Sequence, residues 1–313
     1  MSTRLRITAA STVLVGAATL LTGCSAATEP TGLQVLASFY PLQYVAQQVG
    51  GDLVDVTSLT PPGAEPHDIE LSPRQVREIG DADVVVYLSG FQAAVDDAVT
   101  SRAPAHLVDA AAVPSIATHL TAEESSDGDD AADATDDAHA HESGDPHFWL
   151  DPTLLAALAP QVADALTAAD PTHAAQYAAA AGRLVADLDA LDGAFTDGLA
   201  QCERRVIVTA HAAFGYLAER YDLTQVGLSG LDPEAEPSPS RLREIRDVVD
   251  QYGVTTVFTE ALVSPKVAET LADDLGISTA VLDPVESQVD EDSDYRGAME
   301  QNLTELRAAL GCA

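Results

Sequence analysis

Basic residues are scarce in this sequence. Of 313 residues only 15 are Lys or Arg, against 50 Asp or Glu, so the formal net charge is −35, and Lys266 is the only lysine. A chain of that sign is repelled by nucleic acid, which excludes that class of partner. Cations are the more natural ligands, although an acidic surface also serves solubility alone. Aromatic residues make up only 5%, with one tryptophan, Trp149, and much of the 46% hydrophobic content is alanine, as suits a helix-rich globular protein. There are three cysteines and no CxxC spacing, so no local zinc motif of that kind is present. HExxH, GxSxG and Walker A patterns are also absent, which leaves metalloprotease, acyl-enzyme and ATPase readings without a motif. The apolar stretch at 7–21 is too short for a membrane span and is broken by Gly23 and Cys24.

That stretch has another meaning. Arg4 and Arg6 precede it, and Leu21-Thr22-Gly23-Cys24 resembles a bacterial lipobox, in which Cys24 is lipidated and becomes the mature N-terminus. An ordinary secretory signal with a cysteine by chance is the plainer alternative. The expectation is a signal peptide over 1–23 and a tether over 24–32, with the protein held at the outer face of the cytoplasmic membrane by a two-chain lipid. Setting Cys24 aside leaves Cys202 and Cys312, which an exported protein can oxidise to a disulfide. Two free thiols or two zinc ligands are the other readings.

The body alternates strand and helix signals. Strand character falls at 33–37, 54–59, 84–88 and 106–109, with helices at 42–49, after Ser72-Pro73, and at 93–101. A second set has strands at 206–209, 224–227, 254–259 and 279–282, with helices at 214–221, 241–252, after Ser264-Pro265, and at 295–310. This rhythm predicts an α/β fold of two parallel-sheet lobes, over 33–171 and 201–313. Between them Tyr177, Ala181, Leu184, Leu188, Leu191, Phe195 and Leu199 recur at steps of three and four. They predict one long helix over 172–200, roughly 40 Å in length, bridging the lobes. The segment 119–145 belongs to neither lobe. Between Thr121 and Asp145 it holds ten acids and no base, together with His139 and His141, and His119 lies just before. It reads as a solvated loop, or as an arm that collects metal weakly through His119, His139 and His141.

Three of the eight histidines stand in unusual settings. His67 lies in a proline-rich turn beyond the second strand, His147 lies beside Trp149, and His211 directly follows a strand. Glu260 and Asp283 also follow strands. In open parallel sheets ligands bind beyond the carboxyl ends of strands. Three imidazoles and one carboxylate would suit a four-coordinate zinc ion.

At these residues a family resemblance appears. The segments PPGAEPHDIELSP, DPHFWLDP, VIVTAHAAFGYLAERYDL, PEAEPSPSRL, VFTEAL and DYRGAMEQNLTEL resemble, in order, the substrate-binding lipoproteins that serve zinc and manganese ABC transporters. The resemblance implies a metal site between the lobes, with His67 and His147 from the first and His211 and Asp283 from the second. It implies a carrier without catalysis, a monomer that delivers Zn2+ to the membrane permease and ATPase of an importer. Manganese members tend to carry a carboxylate where His211 stands, and imidazole favours zinc. Copper(II) would also bind on raw affinity. Glu260 is expected to accept a hydrogen bond from His67 or His211 and orient it. A zinc buffer or adhesin with no transporter, and a zinc hydrolase using Glu260 as base, are the alternatives from other classes.

Overall fold

A computed structural model describes residues 32–121, 144–290 and 292–313. The signal peptide, Cys24, most of the tether, His139 and His141 lie outside these residues. The described chain opens with β1 (Leu33–Ala37), α1 (Tyr40–Gly50), β2 (Val54–Ser58), α2 (Pro73–Asp81), β3 (Val84–Tyr87), α3 (Ala93–Arg102), β4 (Leu107–Asp109) and α4 (Pro114–Thr121). Two helices follow, α5 (Pro152–Ala169) and α6 (Ala174–Leu199). The second half contains β5 (Val206–Thr209), α7 (Gly215–Arg220), β6 (Thr224–Gly227), α8 (Pro239–Tyr252), β7 (Thr256–Thr259), α9 (Lys266–Leu275), β8 (Ser278–Val281) and α10 (Tyr295–Leu310).

The strands form two four-stranded parallel sheets of the same winding, β2-β1-β3-β4 and β6-β5-β7-β8. Alternation along each strand divides the core. Val35 and Ala37 of β1, with Val84 and Val86 of β3, face a layer made of α1, α5 and α6. Leu36, Val85 and Tyr87 face the other way, onto Ile79 of α2 and Val95 and Val99 of α3. In the second sheet Ile207 and Phe258 join the first, large cluster, while Val206, Val208 and Val257 pack on Ile245 of α8 and Leu271 of α9. One apolar core therefore runs through both lobes, and each sheet has a smaller core on its outer face.

The shared core is organised by α6. All seven residues of its predicted stripe, Tyr177 through Leu199, are buried, and 26 residues make a rod about 39 Å long. The helix α5 was not expected from the sequence. Asp151 caps it by accepting the Thr153 N–H, and Pro152 occupies its first turn, where the missing N–H costs nothing. Pro160 lies within it and reads as a breaker, yet Leu154, Leu155, Leu158, Val162 and Leu166 are buried around it while Pro160 faces solvent. A disulfide joins Cys202, just after α6, to Cys312, just after α10, 110 residues apart in sequence. Chain-entropy models give such a loop roughly 4–5 kcal/mol of stabilisation at most.

Candidate metal centre

Both sheets present their carboxyl ends to one cleft. From β2 the chain enters the turn that carries His67. The Gln92 side chain, buried at the start of α3, donates to the Pro66 carbonyl at 3.0 Å and to Thr60 Oγ1 at 3.2 Å. Gln75, which also completes a capping box with Ser72, donates to the Leu59 carbonyl at 3.0 Å. These bonds, with Pro61, Pro62 and Pro66, hold a segment that has no sheet or helix pairing of its own. His147 begins a single 3-10 turn, Phe148–Leu150. Phe39, Phe91 and Trp149 form an apolar wall there, with the Phe91 ring 4.8 Å from His67 and the Trp149 ring 5.1 Å from His147.

In the second lobe His211 follows β5, where Thr209 Oγ1 donates to its carbonyl at 2.7 Å. Gly227 at the end of β6 presses on this corner. A Cβ there would stand 2.5 Å from the Ser229 carbonyl oxygen and 3.2 Å from the His211 carbonyl carbon, so only glycine fits. Glu260 directly follows β7, the strand beside β5. Beyond β8 the chain makes a tight bend in which Asp283 Oδ1 accepts the Val285 N–H at 2.7 Å, and Val285 takes φ +56°. A β-branched residue adopts that conformation only under constraint. The constraint comes from Asn302 of α10, bonded to both backbone polar groups of Asp283, and from Trp149, whose Nε1–H donates to the Pro284 carbonyl at 2.8 Å. The bend delivers Glu286 into the cleft.

His67, His147, His211 and Glu286 converge, with one ligand atom of each lying within 4.8 Å of all the others. Glu286 Oε1 is 3.4 Å from His67 Nε2, 2.9 Å from His147 Nε2 and 3.5 Å from His211 Nε2, and the last two imidazoles are 3.4 Å apart. Zn–N bonds of about 2.0–2.1 Å in a tetrahedron set ligand atoms about 3.3 Å apart. On their far sides the imidazoles are oriented. His147 Nδ1 lies 2.7 Å from Asp145 Oδ1, and His211 Nδ1 lies 2.7 and 2.8 Å from the Glu260 carboxylate. An Nδ1–H donated to these acids leaves Nε2 aimed at the cluster centre.

The charges compensate within the cluster. Burial works against a charged His147, but Asp145 and Glu286 raise its pKa. Burial likewise opposes His211, and Glu260 and Glu286 raise it to about 10. For Glu286 burial pushes upward, but the three imidazoles hold it well below the usual carboxylate range. Glu65, two residues before His67, is pushed up to about 7 by burial and by the neighbouring Glu286.

Three expected ligands thus come together and the fourth does not. Asp283 lies outside the cluster because its short side chain is spent on the bend, and burial raises it to about 6. Glu286, three residues on and one methylene longer, reaches the imidazoles instead. Of its two expected partners, Glu260 bonds His211. Asp145 was missed. The signal available for it was its place two residues before a histidine, across a proline. His119 is not among the converging ligands. Its Nδ1 bonds the Ser115 carbonyl at 2.8 Å and its ring lies 5.8 Å from that of Tyr216.

The chain as a whole is similar to known zinc-binding and zinc-uptake proteins. The profile of the family described as zinc-uptake complex component A, periplasmic, matches residues 35–309. The zinc-binding lipoprotein AdcA of Streptococcus pneumoniae is 35% identical over 295 residues, covering 93% of this chain but 58% of that protein. This chain therefore spans little more than half the length of such relatives. The high-affinity zinc uptake system protein ZnuA of Bacillus subtilis is 33% identical, covering 89% of this chain and 88% of that protein. The crystal structure of the Zn(II)-bound ZnuA-like domain of S. pneumoniae AdcA superposes with a TM-score of 0.71 at 31% identity, covering 89% of this chain and 99% of that one. With a match that runs from β1 into α10 in unbroken order, this chain belongs to the zinc-uptake complex component A family.

Proposed function

We propose that this protein is an extracytoplasmic zinc carrier that binds one Zn2+ through His67, His147, His211 and Glu286 and delivers it to an ABC importer. The observation that carries the reading is the convergence of four buried or nearly buried ligand atoms, two from each lobe, at separations close to the edges of a zinc tetrahedron. Four protein ligands close the coordination shell, whereas a catalytic zinc keeps a position open for water. That difference favours a carrier over a hydrolase. A permease and an ATPase are the partners such a carrier requires. Lipidation of Cys24 would hold it beside them, with the lobes at 33–171 and 201–313 forming the soluble body.

The test is elemental analysis of protein purified without added metal, followed by zinc titration of His147→Ala and His211→Ala. One zinc per chain is expected. Each variant should lose more than the roughly 10–100-fold typical of changing a group behind a ligand. Wild-type affinity in both variants would remove the assignment.

A further inference from the structure

One carboxylate at the cleft has no evident work. Glu65 sits in the same turn as His67, and its Oε2 accepts the His67 N–H at 3.0 Å. Its Oε1 is closed off from solvent and accepts no hydrogen bond, and the carboxylate lies against that of Glu286. An unpaired buried carboxylate oxygen is costly, and native proteins rarely keep one without a use. Oε1 lies 3.9 Å from His67 Nε2. Two ligands on one zinc stand about 3.3 Å apart, and Glu65 is not among the four converging ligands, so it joins them only when its side chain swings towards His147. Glu65 and Glu286 also line the same cavity of about 10 Å³, together with Glu260 and Asp283.

The ligands divide by lobe. His67 and His147 belong to the first lobe, His211 and Glu286 to the second. Any parting of the lobes would strip two ligands from the ion at once. Resting on the zinc reading above, we infer that Glu65 is a reserve zinc ligand of the first lobe, which takes the coordination position of Glu286 when Glu286 withdraws. His67, His147 and Glu65 then hold the ion through three ligands of one lobe, with the remaining position free for an incoming acceptor.

Glu286→Gln reproduces the withdrawal of that carboxylate. Glu65→Gln retains an oxygen for the His67 N–H and replaces Oε1 by an amide nitrogen that cannot bind zinc. Zinc affinity, measured by chelator competition, is compared in wild type, Glu65→Gln, Glu286→Gln and the double variant. Glu65→Gln alone should change affinity by no more than about threefold. Adding it to Glu286→Gln should cost at least a further tenfold, because the reserve is then in use; contacting residues are coupled in this way. Glu65→Asp in the Glu286→Gln background separates reach from charge and should behave like Glu65→Gln. A double variant equal to Glu286→Gln, or full rescue by Asp, would overturn the proposal. His147→Ala is titrated alongside, and its retention of wild-type affinity would condemn the zinc site itself rather than the role of Glu65.

Discussion

At the residue scale the cluster is a set of imidazoles fixed from behind. Asp145 is buried and bonds both the Nδ1 and the backbone N–H of His147 through one oxygen. Asp145→Asn replaces that anionic acceptor by a neutral one and weakens the preference for the tautomer that frees Nε2. Its zinc affinity should fall by roughly 10–100-fold with little loss of fold stability, which a paired zinc titration and urea melt would check. Protons compete with zinc for the same atoms. His211 is raised from 6.5 to about 10, so its carboxylate pairs stabilise the zinc-free protein fully below pH 6.5 and that contribution fades as pH rises towards 10. Zinc needs the neutral ring, so its affinity moves the opposite way. Between pH 6.5 and 8.5 the His211 proton alone should make it tighten by up to about tenfold per unit, and the raised His147 adds to this; calorimetry in two buffers of different ionisation heat should show proton release. A flat affinity profile would contradict this. These positions also show what a sequence can reveal about a site. His67 and His211 were legible because strand ends mark the cleft. Glu286 was not, because the choice between Asp283 and Glu286 depends on a bend whose backbone passes through a positive φ at valine, a conformation no valine announces.

Among the elements, α6 was legible and α5 was not, for one physical reason. α6 buries a narrow stripe, and its polar residues cover the rest, so the helical period stands out. α5 lies between α6, α1 and the first sheet and buries most of its circumference, which blurs the period, and Pro160 hides its continuity. A proline in a helix interior removes one hydrogen bond and crowds the carbonyl four residues back, at a cost of about 3 kcal/mol in an unadapted helix. Pro160 is exposed, so its ring fills no cavity. Pro160→Ala should therefore stabilise the protein, by about 1 kcal/mol or more once local adaptation is discounted, read as a higher urea midpoint at unchanged slope. The two sheets were legible almost strand by strand, because short β-branched runs such as VVVY and TVFT are buried on both faces.

For the whole molecule the governing quantity is charge. A net −35 attracts a divalent cation over a distance set by salt. The segment that concentrates this charge lies outside the described residues, directly before Asp145 and His147 in sequence. Deleting 123–142 should leave the equilibrium zinc affinity within about tenfold, or 1.4 kcal/mol. Capture should slow, chiefly at low ionic strength, as stopped-flow mixing with a zinc indicator would show. An affinity loss of several orders of magnitude would instead make a histidine of that segment a ligand.

The disulfide gives the molecule a topology that neither the sheets nor the cleft reveals. Cys202 and Cys312 close a covalent ring that contains all of β5 through α10, and with it His211, Glu260 and Glu286. The first lobe lies on the open thread that leads into this ring. Cleavage at any one bond inside the ring leaves a single connected molecule, whereas cleavage between His147 and Cys202 breaks the covalent link between the two pairs of metal-facing residues. In an envelope containing proteases, the half of the site carried by the ring tolerates a nick, and the half carried by the thread, which includes His67 and His147, does not.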